Sequence, residues 1–154
     1  MGVGIEYQFE GMERLMERAK PELLAKPVHD FLEKVALMVQ AKAREYTPVD
    51  TGRLRASITH ALDSSPVPLW ARVGSNVQYA PFVELGTRPH FPPPDALATW
   101  ARRHGVPVFL VCRAIARRGT KAHRMLQRGF EESKDKISEM VRQLGEAVKG
   151  EWEK

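Results

Sequence analysis

The sequence predicts an α+β fold in which a long N-terminal helix precedes a small antiparallel sheet and the C-terminal third is helical. Three observations support this class. Apolar residues recur every three or four positions between 27 and 46, two alternating segments flank a turn at 63–66, and proline and glycine delimit helices after residue 93. The 154 residues are enough for a single domain with one core.

The long N-terminal helix is predicted over residues 27–46. Its apolar stripe consists of Val28, Phe31, Leu32, Val35, Val39 and Tyr46. Thr47-Pro48 ends this helix, because proline disfavours helical geometry in the residue before it. Residues 1–20 carry a weaker helical pattern and predict a short helix or a mobile arm.

The predicted sheet is centred on one hairpin. Apolar and polar residues alternate over 57–62 and again over 67–73, and the turn-forming sequence Asp-Ser-Ser-Pro lies between them. An antiparallel pair of strands follows from this pattern. Residues 77–85 predict a further extended or mixed piece.

Three helices are predicted in the C-terminal third. The first begins at Pro94 and ends before Gly105, and the second runs from Pro107 to Arg118. Thr120 can cap a final helix over residues 121–152.

The predicted final helix is long for a domain of this size. At about 1.5 Å per residue it would extend roughly 46 Å, whereas a compact domain of this length is only about 40 Å across. The length therefore predicts that the end of this helix extends beyond its own domain, as an overhang, and packs on a neighbouring subunit. Gly129, Gly145 and Gly150 leave open the alternative that the helix breaks or frays.

Positive charge is concentrated between residues 101 and 130, which we call the basic segment. It contains no Asp or Glu, although the net charge of the chain is only +5. Its cations are Arg102, Arg103, Arg113, Arg117, Arg118, Lys121, Arg124 and Arg128. Such a segment favours a polyanion or an acidic neighbour as partner.

Two interpretations of the basic segment remain open. In one, five residues line a channel through which DNA passes and attract phosphates without sequence preference. These residues are Arg113, Arg117, Arg118, Lys121 and Arg124. In the other, the cations are solvated helix faces or pair with acidic residues elsewhere in the chain. No recognised base-reading motif is present, which argues against sequence-specific binding.

Asp50-Thr51-Gly52 is the catalytic tripeptide of aspartic proteases, which need two carboxylates sharing a proton. The context argues against a protease, because the tripeptide follows a helix and Thr47-Pro48 rather than an apolar strand. A structural role is favoured, in which Asp50 or Thr51 caps a turn and Gly52 permits the change of direction.

Nothing else in the sequence indicates catalysis, a cofactor or a metal site. No two of the five histidines are four residues apart, and none lies in a cluster with metal-ligand spacing. The single cysteine, Cys112, precludes an intrachain disulfide. No apolar run approaches the roughly 20 residues of a membrane span, and we expect a soluble protein without enzymatic activity.

Three segments, taken together, resemble a known family. Motif 1 is Pro48–Ile58 (PVDTGRLRASI), motif 2 is Tyr79–Thr87 (YAPFVELGT), and motif 3 is Ile115–Lys121 (IARRGTK). In this order they are similar to the small tail-component proteins encoded between the head and tail genes of long-tailed phages and prophages. The resemblance covers roughly residues 28–130, and the long helix beyond Phe130 departs from the commoner pattern.

The resemblance implies a structural role rather than catalysis. Such proteins act as neck or tail-completion factors at the head-proximal end of the tail, where head and tail join. We therefore expect a ring whose small antiparallel sheet packs on a long helix, located in the virion after assembly in the host cytoplasm. The implied partners are connector or stopper proteins, tail-tube or terminator proteins, and passing double-stranded DNA. The alternative is a nonspecific DNA-binding accessory protein that uses the basic segment.

The motifs also supply the candidate interface residues. These are Asp50, Thr51, Gly52, Arg53, Tyr79, Phe82, Glu84 and Gly86. Within motif 2, we expect Tyr79, Phe82 and Leu85 to be buried on one side. Glu84 and Arg88 would then remain available for polar contacts with a neighbour.

Overall fold

The computed structural model describes residues 3–8, 21–68 and 70–152. The helices are α1 (Pro21–Tyr46), α2 (Arg53–Ser57), α3 (Ala80–Leu85), α4 (Pro94–Arg103), α5 (Val108–Arg118) and α6 (Met125–Trp152). The strands are β1 (Val3–Gln8), β2 (Ile58–Leu62) and β3 (Trp70–Ser75). The α+β class is confirmed, with a long N-terminal helix and a helical C-terminal part.

The described strands form one antiparallel sheet in the order β1-β3-β2. The central strand β3 pairs Val73 with Ile5 of β1 and with His60 of β2. Strand β1 was not anticipated, since residues 1–20 predicted a helix or a mobile arm. The helical pattern of residues 9–20 lies outside the described residues.

Helix α1 packs against both the sheet and α6, and α6 also contacts β1. Its residues Leu32 and Val35 are fully buried, as are Ile58 and Val73 of the sheet. Apolar burial of this kind is the main term that holds the layers together.

Polar contacts fix the register of β2 on α1. The Arg44 guanidinium donates two hydrogen bonds to the carbonyl oxygen of Ile58, at 3.1 and 2.7 Å. On the same strand, His60 contacts Gln40 Oε1 at 2.6 Å through Nδ1 and Glu33 Oε1 at 3.2 Å through Nε2. The first and the middle residue of the strand are therefore tied to the helix.

Helix α6 packs antiparallel on α1, and a glycine sets the closest approach. A Cβ on Gly129 would lie 2.7 Å from the backbone nitrogen of Ala43, so only glycine fits there without displacement. Val148 follows Gly129 by as many residues as Leu24 precedes Ala43, so Val148 and Leu24 lie level in the antiparallel pair. Both are buried. The apolar face of α6 is thus covered within its own chain at Leu126, Ile137 and Val148, whereas Val141 is 42% exposed.

This packing changes the predictions made for the final helix. It begins at Met125 rather than after Thr120, and it continues without a break through Gly129, Gly145 and Gly150. As far as Val148, α6 packs along α1, which is nearly as long. A contact between α6 and a neighbouring subunit stays a prediction.

An exposed polar cluster closes the end of the α1–α6 contact. Tyr46 and Lys42 of α1 both contact the Glu132 carboxylate of α6, Lys42 at 3.2 Å. The Tyr46 hydroxyl and then the Lys42 ammonium hold the pKa of Glu132 below its ordinary value. The Arg128 guanidinium lies 4.0 Å from the centre of the Tyr46 ring, a cation–π contact.

Helices α4 and α5 form a hairpin that contacts itself more than the layers beneath it. Their bounds confirm the predicted helices after Pro93 and after Pro107. Ala101 and Cys112 are buried, apart from the main cluster of core residues. None of the described helices is long and apolar enough to cross a membrane.

Two glycines of α6 predict opposite effects of the same substitution. A Cβ at Gly145 would meet no atom within 4 Å, whereas one at Gly129 would collide with α1. We expect Gly145→Ala to raise the free energy of unfolding by about 1 kcal/mol through helix propensity. Gly129→Ala should lower it by about 1–3 kcal/mol through overpacking. Urea unfolding of both variants checks this, and equal effects would contradict the described packing.

Candidate functional site

The three sequence motifs, which are far apart in the chain, meet at one end of the layers. Motif 1 forms the turn after α1 and all of α2, motif 2 forms α3 and the two residues after it, and motif 3 ends α5.

Motifs 2 and 3 cross at a pair of Gly-Thr dipeptides. Thr87 and Thr120 exchange backbone hydrogen bonds, each N to O distance being 3.2 Å, and form an isolated antiparallel bridge. Their hydroxyl oxygens lie 3.1 Å apart. The crossing closes the segment between them, which contains α4 and α5, into a loop fixed at its base.

Glycine precedes each threonine because the crossing leaves no room for a side chain. A Cβ on Gly119 would lie 1.9 Å from the carbonyl oxygen of Thr87, and one on Gly86 would lie 2.5 Å from that of Thr120. Both glycines also have φ of 70° with ψ of −159° and −175°. That backbone region is essentially restricted to glycine.

Glu84, which lies far from the final helix in sequence, caps the N-terminus of that helix. It is only 5% exposed, and its carboxylate accepts hydrogen bonds from the backbone N–H groups of Leu126 (3.0 Å) and Gln127 (3.1 Å). Its carbonyl oxygen accepts a third from Arg124 N at 3.0 Å. A carboxylate at a helix N-terminus pairs with otherwise unsatisfied N–H groups and with the positive end of the helix dipole.

This role corrects two predictions. Glu84 was expected to be free for a neighbour, and Thr120 was expected to cap the final helix. Ala80 and Glu84 are one helical turn apart and both face inward, which makes Glu84 the cap. Thr120 instead pairs with Thr87.

The same helical geometry turns the apolar residues of motif 2 outward. Tyr79 is 41% exposed, Phe82 59% and Leu85 73%. The prediction that these three are buried is therefore wrong for the single chain. Arg88 is exposed, as expected.

Beside them lies an open groove of about 620 Å³ between motifs 2 and 3. Tyr79, Phe82 and Val83 line its apolar part, and Arg88 and Lys121 are its cations. No Asp or Glu is among its described lining residues, so the groove favours a partner that is apolar and neutral or acidic.

Motif 1 contributes a second, smaller cleft of about 370 Å³. Asp50, Thr51, Gly52 and Arg53 line it together with Tyr79 of motif 2, so the structure brings these predicted residues together. Gly52 has φ of 80°, which provides the change of direction predicted for it. Thr51 Oγ1 accepts a hydrogen bond from Arg53 N at 3.4 Å.

Asp50 connects motif 1 to the α4–α5 hairpin. Its carboxylate forms an ion pair with the Arg103 guanidinium. One turn earlier on α4, the Trp100 ring stacks on His104 with 4.1 Å between ring centroids, and both line the cleft. Asp50 is thus engaged with a cation, unlike one of a pair of carboxylates that share a proton.

The basic segment is divided between paired and unpaired cations. Arg103 pairs with Asp50 and Arg128 covers the Tyr46 ring. The five predicted channel-facing residues are all exposed, and none forms an ion pair within the described parts of the chain. They are Arg113, Arg117, Arg118, Lys121 and Arg124.

Thr87, Thr120 and Arg103 are the site residues that sequence reasoning missed. The repeated Gly-Thr at 86–87 and 119–120 is a signal that could have indicated the crossing. Nothing in the sequence singles out Arg103 from its basic neighbours as the partner of Asp50. Among the residues that the structure describes, no group of three or more His, Cys, Asp or Glu side chains could hold a metal ion.

The motif residues of this α+β fold therefore fix a backbone crossing, cap a helix and present apolar side chains to solvent. Residues 10–86, half of the chain, match the family model described as "Bacteriophage HK97-gp10, putative tail-component". The chain belongs to this family of bacteriophage tail components. The match includes motif 1 and motif 2 up to Gly86. No curated protein and no solved structure matches the chain significantly.

Replacing Glu84 with Gln tests the cap. Glutamine keeps one acceptor oxygen but turns an amide donor toward a backbone N–H, so a buried hydrogen bond is lost. We expect the free energy of unfolding to fall by about 1–3 kcal/mol, with faster amide exchange at Leu126 and Gln127. Glu131→Gln, at an exposed carboxylate on α6, is the control and should have little effect. Equal stabilities for the two variants would contradict the cap.

Replacing Gly119 with Ala tests the crossing. Gly105 is a matched control, since its φ of 64° is also positive but a Cβ there would meet no atom within 4 Å. Gly105→Ala should cost about 1–2 kcal/mol from backbone strain alone. Gly119→Ala adds a backbone collision and should cost about 3 kcal/mol or more. Thermal unfolding of both variants measures the difference, and similar melting temperatures would contradict the crossing.

Proposed function

We propose that this tail component is a ring-forming structural subunit that acts at the head-proximal end of the tail, where it completes the tail for joining to the head. The role involves no bond-making chemistry. Membership in the tail-component family supports the general assignment. The observation that carries the finer proposal is the exposed apolar surface of motif 2.

That surface is held firmly by the rest of the motif. The backbone of α3 is fixed at one end by the buried Ala80 and at the other by Glu84 and the Thr87–Thr120 bridge. Rigid, exposed apolar residues such as Phe82 mark protein–protein interfaces, since they bind without a large loss of conformational entropy.

A second exposed apolar surface lies at the other end of the α4–α5 hairpin. Val106, Phe109 and Leu110 are 38%, 60% and 52% exposed. Two different apolar surfaces on one chain can meet head to tail between copies, and such contacts close into a ring when the rotation permits. This supports a ring over a two-fold dimer.

Native mass spectrometry of the purified chain tests the assembly. We expect a closed oligomer for the wild type, and dissociation to smaller species for Phe82→Asp with Leu85→Asp, because a buried unpaired charge opposes the contact. Leu37→Asp changes an exposed apolar residue on α1 and is the control. A monomer at high concentration in the presence of tail proteins, or an unchanged oligomer in the double variant, would contradict the proposal.

A genetic experiment tests the position in the particle. Deleting the gene should leave filled heads and tails that do not join, and the wild-type chain should restore joining while the Phe82→Asp, Leu85→Asp variant should not. Electron microscopy of lysates gives the result. Normal infectious particles in the deletion would overturn the proposed role while leaving the family membership unaffected.

A further inference from the structure

We propose that the exposed, unpaired cations of the basic segment bind the phosphate backbone of double-stranded DNA without reading its sequence. This inference does not depend on the ring or on its position in the particle. It develops one of the two interpretations that the sequence alone left open.

The first support is the state of these side chains in the fold. Once Arg103 and Arg128 are assigned to Asp50 and Tyr46, six cations of the segment remain, and all six are exposed. None of them forms an ion pair within the described residues. They are Arg102, Arg113, Arg117, Arg118, Lys121 and Arg124.

Other exposed cations show what a paired arrangement looks like in this chain. Lys26 pairs with Asp30 at 2.7 Å, and Arg142 pairs with both Glu139 and Glu146 at 2.7 and 2.8 Å. The basic segment has no Asp or Glu with which to form such local pairs. Its interpretation as a face neutralised by the chain's own carboxylates is therefore not supported.

A second copy of the chain offers less opposing charge to the segment than a polyanion does. The chain has a net charge of +5 and the segment holds eight cations, so the remainder of each copy carries a net charge of only −3. A partner with a dense negative charge matches the segment better. Double-stranded DNA has one phosphate charge per about 1.7 Å of its axis, and a phage tail component belongs to a particle that carries a genome.

The residue type and placement suit phosphate. Five of the six unpaired cations are arginine, whose planar guanidinium can donate two parallel hydrogen bonds to phosphate oxygens. Arg113 and Arg117 are four residues apart on α5, so they share one face of that helix. Lys121 and Arg124 follow beyond the crossing, on the segment that leads into α6.

The segment contains no recognised base-reading motif. Its one amide side chain of the type that pairs with adenine, Gln127, donates a hydrogen bond to Glu131 instead. Contacts to phosphate position a protein on a duplex but carry no sequence information. Binding should therefore be equal for unrelated duplex sequences.

The experiment measures binding of the full chain to a fluorescein-labelled 30-base-pair duplex by anisotropy, over 50–200 mM NaCl. If about five phosphates are neutralised, the slope of log K against log salt is about −4.5, and affinity falls roughly 500-fold over this range. Two duplexes of unrelated sequence should bind alike. No detectable binding at 50 mM NaCl would overturn the proposal.

Matched double variants distinguish an effect of the basic segment on DNA binding from an effect of the total net charge. Arg113→Gln with Arg117→Gln should weaken binding and make the slope shallower by about 2, close to one unit for each lost phosphate contact. Lys134→Gln with Lys136→Gln removes the same charge from exposed positions on α6 and should change binding much less. If both double variants weaken binding equally, the segment is not the binding site and the proposal fails.

Polyglutamate of equal total charge distinguishes DNA from an acidic protein. We expect the duplex to bind more tightly, because its phosphates are regularly spaced on a stiff scaffold. Tighter binding of polyglutamate would overturn DNA as the partner and indicate an acidic protein surface. Unchanged melting temperatures of the double variants confirm that each result reports binding rather than unfolding.

Discussion

The crossing of two backbone segments at Gly86-Thr87 and Gly119-Thr120 is the constraint on which the site depends. The two segments pass so close to each other that a Cβ on Gly86 or on Gly119 would collide with backbone atoms of the opposite segment. The hydrogen bonds between Thr87 and Thr120 then hold the base of the α4–α5 hairpin against the layered part of the fold. This contact, with the hydrogen bonds from His123 N to Val83 O and from Arg124 N to Glu84 O, fixes motif 2 against the end of motif 3.

The crossing acts together with a buried carboxylate. Glu84 lies two residues before Gly86 and accepts hydrogen bonds from the first turn of α6. The helix that packs along the whole of α1 is therefore anchored by the same motif that exposes Phe82 and Leu85. The motif combines one inward polar residue for folding with outward apolar residues for contact, the reverse of the arrangement that its hydrophobicity predicts.

Sequence patterns predicted the individual helices and strands better than the way in which these elements pack on one another. The stripe over 27–46, the alternation on both sides of residues 63–66, and the glycines at 105 and 119 gave helices and strands close to those observed. Strand β1 was missed, because Gly4 and its short length give little periodic signal and its pairing partner β3 lies some 70 residues away. Helix length alone also did not reveal that α1 begins at Pro21 and packs along the final helix.

In the candidate site, too, the sequence predicted which residues matter better than it predicted their contacts. The motifs identified Asp50, Gly52, Tyr79 and Phe82 as candidate interface or family-motif residues, and the structure places them around two clefts that share Tyr79. Sequence alone could not show that Glu84 faces α6, since the amides that it caps lie some 40 residues later. Such pairings depend on the tertiary path of the chain.

We propose that the exposed apolar residues of motif 2 contact a neighbouring subunit or a tail protein. Cryo-electron microscopy of the assembled oligomer, at a resolution that shows side chains, tests it most directly. The account predicts that Tyr79, Phe82 and Leu85 of each subunit are covered by an adjacent subunit or tail protein. A reconstruction in which all three side chains face open solvent would contradict it.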